Sequence, residues 1–297
     1  VEDDRSGTHG ATKGPIVVVE DPEDPRLDLY RRLGDSSHRM RMDSEQSVFV
    51  VEGKLALRRL LSSEYEVRSL LVDDHQLTSA GDLVAATRRQ GATVFVASRD
   101  VLATTVGFAL HRGVVALADR PTPVDPKEAL ARVMATSTGT PLVTVLEGLN
   151  DHENIGAVFR NAAAFGVAGI FLDDSCADPL YRRAVRVSVG HVLHVPYARF
   201  TNWPEGLQDL RRVGLLIAAL TPHPPDNGTT PLVNLSELGK LTTNTGVAIL
   251  LGSEGPGLSS AALTACDVAV SIPMATGVDS LNVATAAAVA FYALTEG

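Results

Sequence analysis

The sequence predicts two α/β domains in tandem, and three observations carry that expectation. Short β-type apolar runs alternate with segments of helical period. The composition favours Ala, Val and Leu, with aromatics at only 5%, which suits layered sheets and Ala-faced helices. Pro121, Pro123 and Pro126 interrupt the alternation. A chain of 297 residues, 45% of them hydrophobic, fills two modest cores more readily than one large core.

Residues 1–25 are polar, charged and punctuated by Gly and Pro, and read as a flexible acidic tail. An Arg-bearing segment follows, with Arg31, Arg32, Arg39 and Arg41, either a solvated face or an RNA contact. Ser47–Glu52 predicts a strand, and Gly53–Ser62 a helix carrying Leu55, Leu57, Leu60 and Leu61. Val67–Val72 is the next strand, Asp82–Gln90 the next helix, and Gly91 its stop signal. Thr93–Ala97, a short helix near Asp100–Thr105 and Gly113–Ala118 complete a compact domain over 26–120. It contains no nucleotide-binding glycine fingerprint. Residues 121–141 read as a linker with a short helix at Lys127–Met134.

The second domain, 142–297, opens with Leu142–Leu146, an apolar run expected of a strand buried on both faces. A helix over Asn154–Phe165, the strand Gly169–Leu172 and a helix over Pro179–Val189 bearing Arg182, Arg183 and Arg186 follow. Leu215–Leu220, Val247–Leu251 and Val268–Ile272 are further strands, and a helix over Asn282–Leu294 closes the chain. Such alternation implies a mostly parallel sheet with ligands at the carboxyl ends of its strands.

The formal charge of −9 weighs against a nucleic-acid partner, but it is unevenly spread. Residues 1–30 carry −5, residues 31–120 carry +2 and the remainder carries −6. The positive segment is the one expected to meet RNA. Cys176 and Cys266 belong to no CxxC or Cys/His cluster, so two buried reduced thiols are expected and no metal site. There is no apolar leader-like segment and no run long enough to span a bilayer, so a cytoplasmic protein without membrane contact is expected.

Three loops follow buried strands. Gly148–Gly156 (GLNDHENIG) leads into a helix, where Asn154 can cap and still face a ligand, with Arg160 farther along. Gly252–Leu258 (GSEGPGL) places Glu254 amid three glycines, a density that implies a sharp turn or close approach. Ile272–Val283 (IPMATGVDSLNV) offers Ser280 and Asn282 at a helix start.

Taken together, N-I-G-x-x-x-R-N-A, G-S-E-G-P-G-L and I-P-M-…-S-L-N-V-A-T-A resemble, in order, the motifs of the SpoU/TrmH family of RNA 2′-O-ribose methyltransferases, in the SPOUT class. The resemblance covers roughly Leu142–Leu294. It implies a C-terminal trefoil knot, an exception to the rule against threaded connections, and S-adenosylmethionine as cofactor. Carried across position by position, it assigns Thr221, Gly252, Ile272 and Leu281 to the cofactor. It assigns Asn154, Arg160, Glu254, Ser280 and Asn282 to catalysis or to shaping the site. Family proposals make the arginine a base, but a guanidinium stays charged at physiological pH. Arg160 is therefore expected to clamp the target phosphate and polarise the 2′-hydroxyl.

The resemblance further implies a homodimer with shared active sites. The first domain, through its element order and Phe49–Gly53 (FVVEG), resembles the small ribosomal-protein-like domain that captures substrate in rRNA-modifying members. The expected substrate is accordingly RNA, 23S rRNA in the first instance, with tRNA the alternative. Two other readings compete. A Rossmann-like nucleotide enzyme lacks its GxGxxG, and a non-catalytic RNA-binding protein has no need of the intact polar set.

Overall fold

A computed structural model of the chain describes residues 13–35, 45–108, 113–222, 230–242, 245–278 and 280–295. Arg39 and Arg41 lie outside the described residues. The chain divides into two compact units, Val1–Pro121 and Thr122–Gly297.

The first unit contains β1 (Ile16–Val19), β2 (Val48–Glu52), α1 (Lys54–Leu61), β3 (Val67–Asp73), α2 (Gly81–Arg89), β4 (Thr93–Ala97), α3 (Arg99–Val106) and β5 (Val114–Asp119). Its sheet has the order β1-β4-β3-β5-β2, with β1, β4 and β3 parallel and β5 antiparallel to both of its neighbours. Strand β1 corrects the expectation of a tail over residues 1–25 from residue 13 on, and residues 1–12 lie outside the described residues. Ile16 and Val18 face outward while Val19 is buried, and the strand pairs in register with Val94–Ala97. Arg88 fixes its approach by donating from Nε to the Gly14 carbonyl at 2.8 Å. Leu27 and Tyr30 enter the core with Val50, Leu71 and Phe95, and Tyr30 shares a 2.7 Å hydrogen bond with Ser69. Arg31 pairs with Glu23 and Asp28. In α1, Leu57 and Leu60 are buried but Leu55 points to solvent.

The second unit comprises α4 (Pro126–Thr136), β6 (Leu142–Glu147), α5 (His152–Ala164), β7 (Gly169–Leu172), α6 (Arg182–Val187), β8 (Tyr197–Arg199), α7 (Leu207–Arg212), β9 (Leu216–Leu220), β10 (Leu232–Asn234), α8 (Leu235–Leu241), β11 (Val247–Gly252), α9 (Ser260–Ala265), β12 (Val268–Ser271) and α10 (Val283–Thr295). The strand order is β10-β12-β9-β11-β6-β7-β8, and its pairings are parallel throughout. Helix α4, expected within a linker, instead belongs to this core. Its Ala129, Leu130 and Val133 pack with Val143, Phe171, Leu207, Leu210 and Ala262 on one face of the sheet. Helix α5 packs against α6 and α10.

Parallel strands buried on both faces must place their chemistry at their ends. In β6 every side chain is buried, Thr144 included, and Glu147 stands at its carboxyl end. No helix among the described residues is long and apolar enough to cross a membrane.

Candidate active site

Three of the four expected cofactor residues sit at one end of three neighbouring strands. Thr221 follows β9, Gly252 ends β11 and Ile272 follows β12, and these strands lie side by side as β12-β9-β11. Extending the register that pairs Leu250 with Ala219 sets Gly252 level with Thr221. The Thr221 amide donates to the Val270 carbonyl at 2.9 Å, which ties β9 to β12 at that end. Leu281, the fourth, is 37% exposed beside Asn282.

The glycine loop is folded by crowding. A Cβ on Gly252 would lie 2.3 Å from the Gly257 carbonyl carbon and 2.4 Å from the Leu258 nitrogen, so no side chain fits. Gly255 and Gly257 have φ of +91° and +71°, a region that favours glycine. The Gly257 amide closes the turn on the Ser253 carbonyl at 3.0 Å. Glu147, 8% exposed, holds the exit, accepting from the Ser259 amide at 2.8 Å and from Trp203 Nε1 at 2.5 Å.

Three loops meet at three side chains. Asn154 Nδ2 donates to Glu254 Oε1 at 3.2 Å, and Asn282 Nδ2 donates to the same oxygen at 2.6 Å and to Asn154 Oδ1 at 2.9 Å. Asn282 Oδ1 meanwhile accepts from the Ala284 and Thr285 amides, capping α10. The capping expected of Asn154 is corrected. Asp151 caps α5 by accepting from the Glu153 amide at 2.6 Å, which places Asn154 inside the first turn and frees its amide for the other loops.

Arg160 and Ser280 stand apart from this cluster. Six residues along a helix turn Arg160 about 120° away from Asn154 and carry it about 9 Å farther. It is exposed, and its side chain makes no hydrogen bond or ion pair among the described residues. Ser280 is exposed and likewise unbonded among them. Gly156 comes close to α6, where a Cβ would lie 2.6 Å from the Ala184 carbonyl oxygen.

Sequence reasoning missed a second tier of residues. Asn161 Nδ2 donates to the Ala284 carbonyl at 2.8 Å and joins α5 to α10. Asp173, 4% exposed after β7, accepts from the Gly148 amide, the Ser175 hydroxyl and the Cys176 amide. The available signal was a carboxylate at the carboxyl end of a buried strand, Glu147 as the last residue of β6 and Asp173 directly after β7. Burial, with Asp173 adding to it, pushes the Cys176 thiol up to about 12, and burial alone leads at Cys266, also about 12. Both thiols are free and buried, and neither is a nucleophile at neutral pH. His152 lies against Tyr181 with ring centroids 4.1 Å apart and planes tilted by 37°, and desolvation lowers its pKa against the pull of Asp178 and Asp151.

Fold and site together define an α/β protein whose glycine-rich loops gather at the ends of adjacent parallel strands. The chain belongs to the SpoU rRNA methylase family, whose model matches residues 141–292, just over half its length. Residues 50–124 match a second model, RNA 2′-O ribose methyltransferase substrate binding. An uncharacterized tRNA/rRNA methyltransferase of Mycobacterium tuberculosis is 45% identical over 277 residues, covering 93% of this chain and 91% of that protein. An rRNA methyltransferase of Sinorhizobium meliloti, solved with AdoMet bound, shares the fold at a TM-score of 0.77 and 21% identity, covering 95% and 98% of the two chains. An RNA 2′-O ribose methyltransferase structure superposes at 0.73 with 26% identity over 94% and 98%.

Proposed function

We propose that this protein methylates a ribose 2′-hydroxyl of RNA, with 23S rRNA as substrate and S-adenosylmethionine as donor. The observation that carries the reading is the Asn154–Glu254–Asn282 cluster, which locks three loops together at the ends of β9, β11 and β12. The exposed backbone of these loops would admit the cofactor. Gly255, Gly257 and Gly277 each face open space where a side chain would stand, so a ligand can lie against the bare backbone. Thr221, Gly252, Ile272 and Leu281 would hold it there.

When bound, the cofactor supplies a methyl group on a positively charged sulfur. The chain's own task is to bring the 2′-oxygen behind that methyl and to ease the departure of its proton. Glu254, fixed by two amide donors, keeps the glycine loop in register with α5 and α10. Arg160 remains a charged guanidinium, clamps the phosphate next to the target ribose and polarises the hydroxyl, whose proton passes to water. Ser280 lines the mouth. Arg160 lies away from its own cluster, which supports an active site completed by the arginine of a second copy in a homodimer. The tie from Thr221 to Val270 and the return of the segment after β12 to Glu254 support a knotted C-terminal half. The first unit, bearing the net-positive stretch 31–120, captures the RNA, with affinity that falls as salt rises.

Incubating the chain with isotopically labelled S-adenosylmethionine and either 23S rRNA or tRNA, followed by alkaline hydrolysis, tests this. A label retained in an alkali-resistant dinucleotide of 23S rRNA is the expected result. Label on a base overturns the ribose target, label on tRNA alone overturns the substrate, and none at all favours an RNA-binding role. Arg160→Ala is expected to bind cofactor normally and to lose methylation by about 10²-fold. Undiminished transfer would remove Arg160 from the mechanism.

A further inference from the structure

A cleft of about 500 Å³ opens at the carboxyl ends of β7 and β8, lined by Asp174, Thr201, Asn202, Trp203 and Glu205. The cleft is shallow and open to solvent. Trp203 is the chain's one tryptophan, and it is the half-buried member of an otherwise exposed lining. It ends an aromatic ladder that climbs out of the core. Phe171 stacks on Phe200 at 5.3 Å between centroids and 21° between planes, and Phe200 on Trp203 at 6.1 Å and 29°. Glu147 locks the indole from below through Nε1.

The rim is equally well fixed. Arg199 donates to the carbonyls of Asp173, Cys176 and Ala177 at 2.5, 3.0 and 3.3 Å, holding the loop that carries Asp174. The carboxylates of Asp174 and Glu205 make no hydrogen bond or ion pair among the described residues. The cleft therefore sets one rigidly held, half-buried indole among exposed polar side chains that offer hydrogen-bond acceptors. Its negative rim disfavours a phosphate and suits a neutral planar group with N–H donors on its edge. A nucleobase splayed from a single strand has that shape and would extend the ladder by one rung.

We propose that this cleft is a subsite for an unpaired nucleobase of the RNA substrate, one bearing an exocyclic amino group. This rests on the reading of the chain as an RNA methyltransferase. Cytosine, adenine and guanine each offer amino N–H groups to a carboxylate. Uracil offers two carbonyl oxygens and a single N–H, so Asp174 and Glu205 discriminate against it. Glu147 links the subsite to the cofactor loop, because the same carboxylate that fixes Trp203 also holds the Ser259 amide. Between β11 and β8 the sheet takes three strand steps, about 14 Å. The base read here thus lies near the methylated ribose in sequence but is a different nucleotide.

The single tryptophan is its own reporter. The full chain is titrated with short oligoribonucleotides of cytidine, adenosine or uridine, and with spermidine, while tryptophan emission is followed and S-adenosylmethionine binding is measured by calorimetry in parallel. Saturable quenching is expected with cytidine and adenosine oligomers at concentrations roughly ten-fold below those needed with uridine. Asp174→Asn and Glu205→Gln, which keep the reporter, are expected to erase that preference and leave cofactor binding intact. Equal quenching by all oligomers, none at all, or a response to spermidine alone would overturn the subsite. A chain that methylates RNA without base-dependent quenching loses the subsite and keeps the function. A chain that does not bind S-adenosylmethionine loses the function first.

Discussion

Two loops at the same edge of the second sheet are made rigid by opposite means. Gly252–Leu258 holds its shape because side chains are missing, with the backbone at Gly252 pressed against Gly257 and Leu258. Asp173–Ala177 holds its shape because side chains are present, with the buried Asp173 and Arg199 saturating its amides and carbonyls. A loop set by crowding leaves its outer face bare for a ligand that reads backbone. A loop set by bonds keeps its shape while presenting polar side chains at its rim. The first suits a cofactor common to a whole family, and the second suits a substrate that differs between members.

Breaking each loop by its own weakness separates the two. Gly252→Ala inserts a methyl where no space exists, and displacing the loop is expected to lower methyl transfer by about 10²-fold or more, with cofactor binding falling in calorimetry. Arg199→Met removes charge-assisted hydrogen bonds to three carbonyls and is expected to cost about 2–3 kcal/mol in urea unfolding. Cofactor binding by the folded fraction should remain, since the glycine loop does not depend on Arg199. Asn282→Ala removes the α10 cap and is expected to cost about 1 kcal/mol, with a larger proportional effect on transfer than on stability.

The smallest effect is expected at His152, beside the Asp173 loop. Its folded pKa is lowered by desolvation, so the contribution to stability is fully present above the unfolded value of 6.5 and is lost as pH falls through the folded one. The pH dependence of unfolding between about pH 7 and pH 5 should therefore be shallower in His152→Phe than in the parent chain. An unchanged slope would show that this histidine titrates alike folded and unfolded.

Much of the fold was legible because periodicity is a local property. The runs SVFVVE, TVFVA and LVTVL became β2, β4 and β6 within a residue or so of where their patterns place them. Strand β1 was not legible, because four residues flanked by polar sequence are stabilised by pairing with Val94–Ala97 far along the chain. Strands β8 and β10, three residues each, lie below the length at which alternation can be read. The sequence NDHEN offers several equivalent capping residues, so the choice between Asp151 and Asn154 depended on which side chain the other loops claimed. Asn154, Glu254 and Asn282 were legible through motif resemblance. Trp203 and Glu147 were not, since the bond between them spans 56 residues and carries no local signature.

Asn282 divides one amide between two tasks, its oxygen holding the first turn of α10 and its nitrogen holding Glu254 and Asn154. Fraying of that helix end and loosening of the loops are consequently a single event. The three loops cannot part without unwinding a turn, and anything that draws them together must also wind the helix. Protection of the Ala284 and Thr285 amides from hydrogen exchange is thereby a direct gauge of how tightly the three loops are joined.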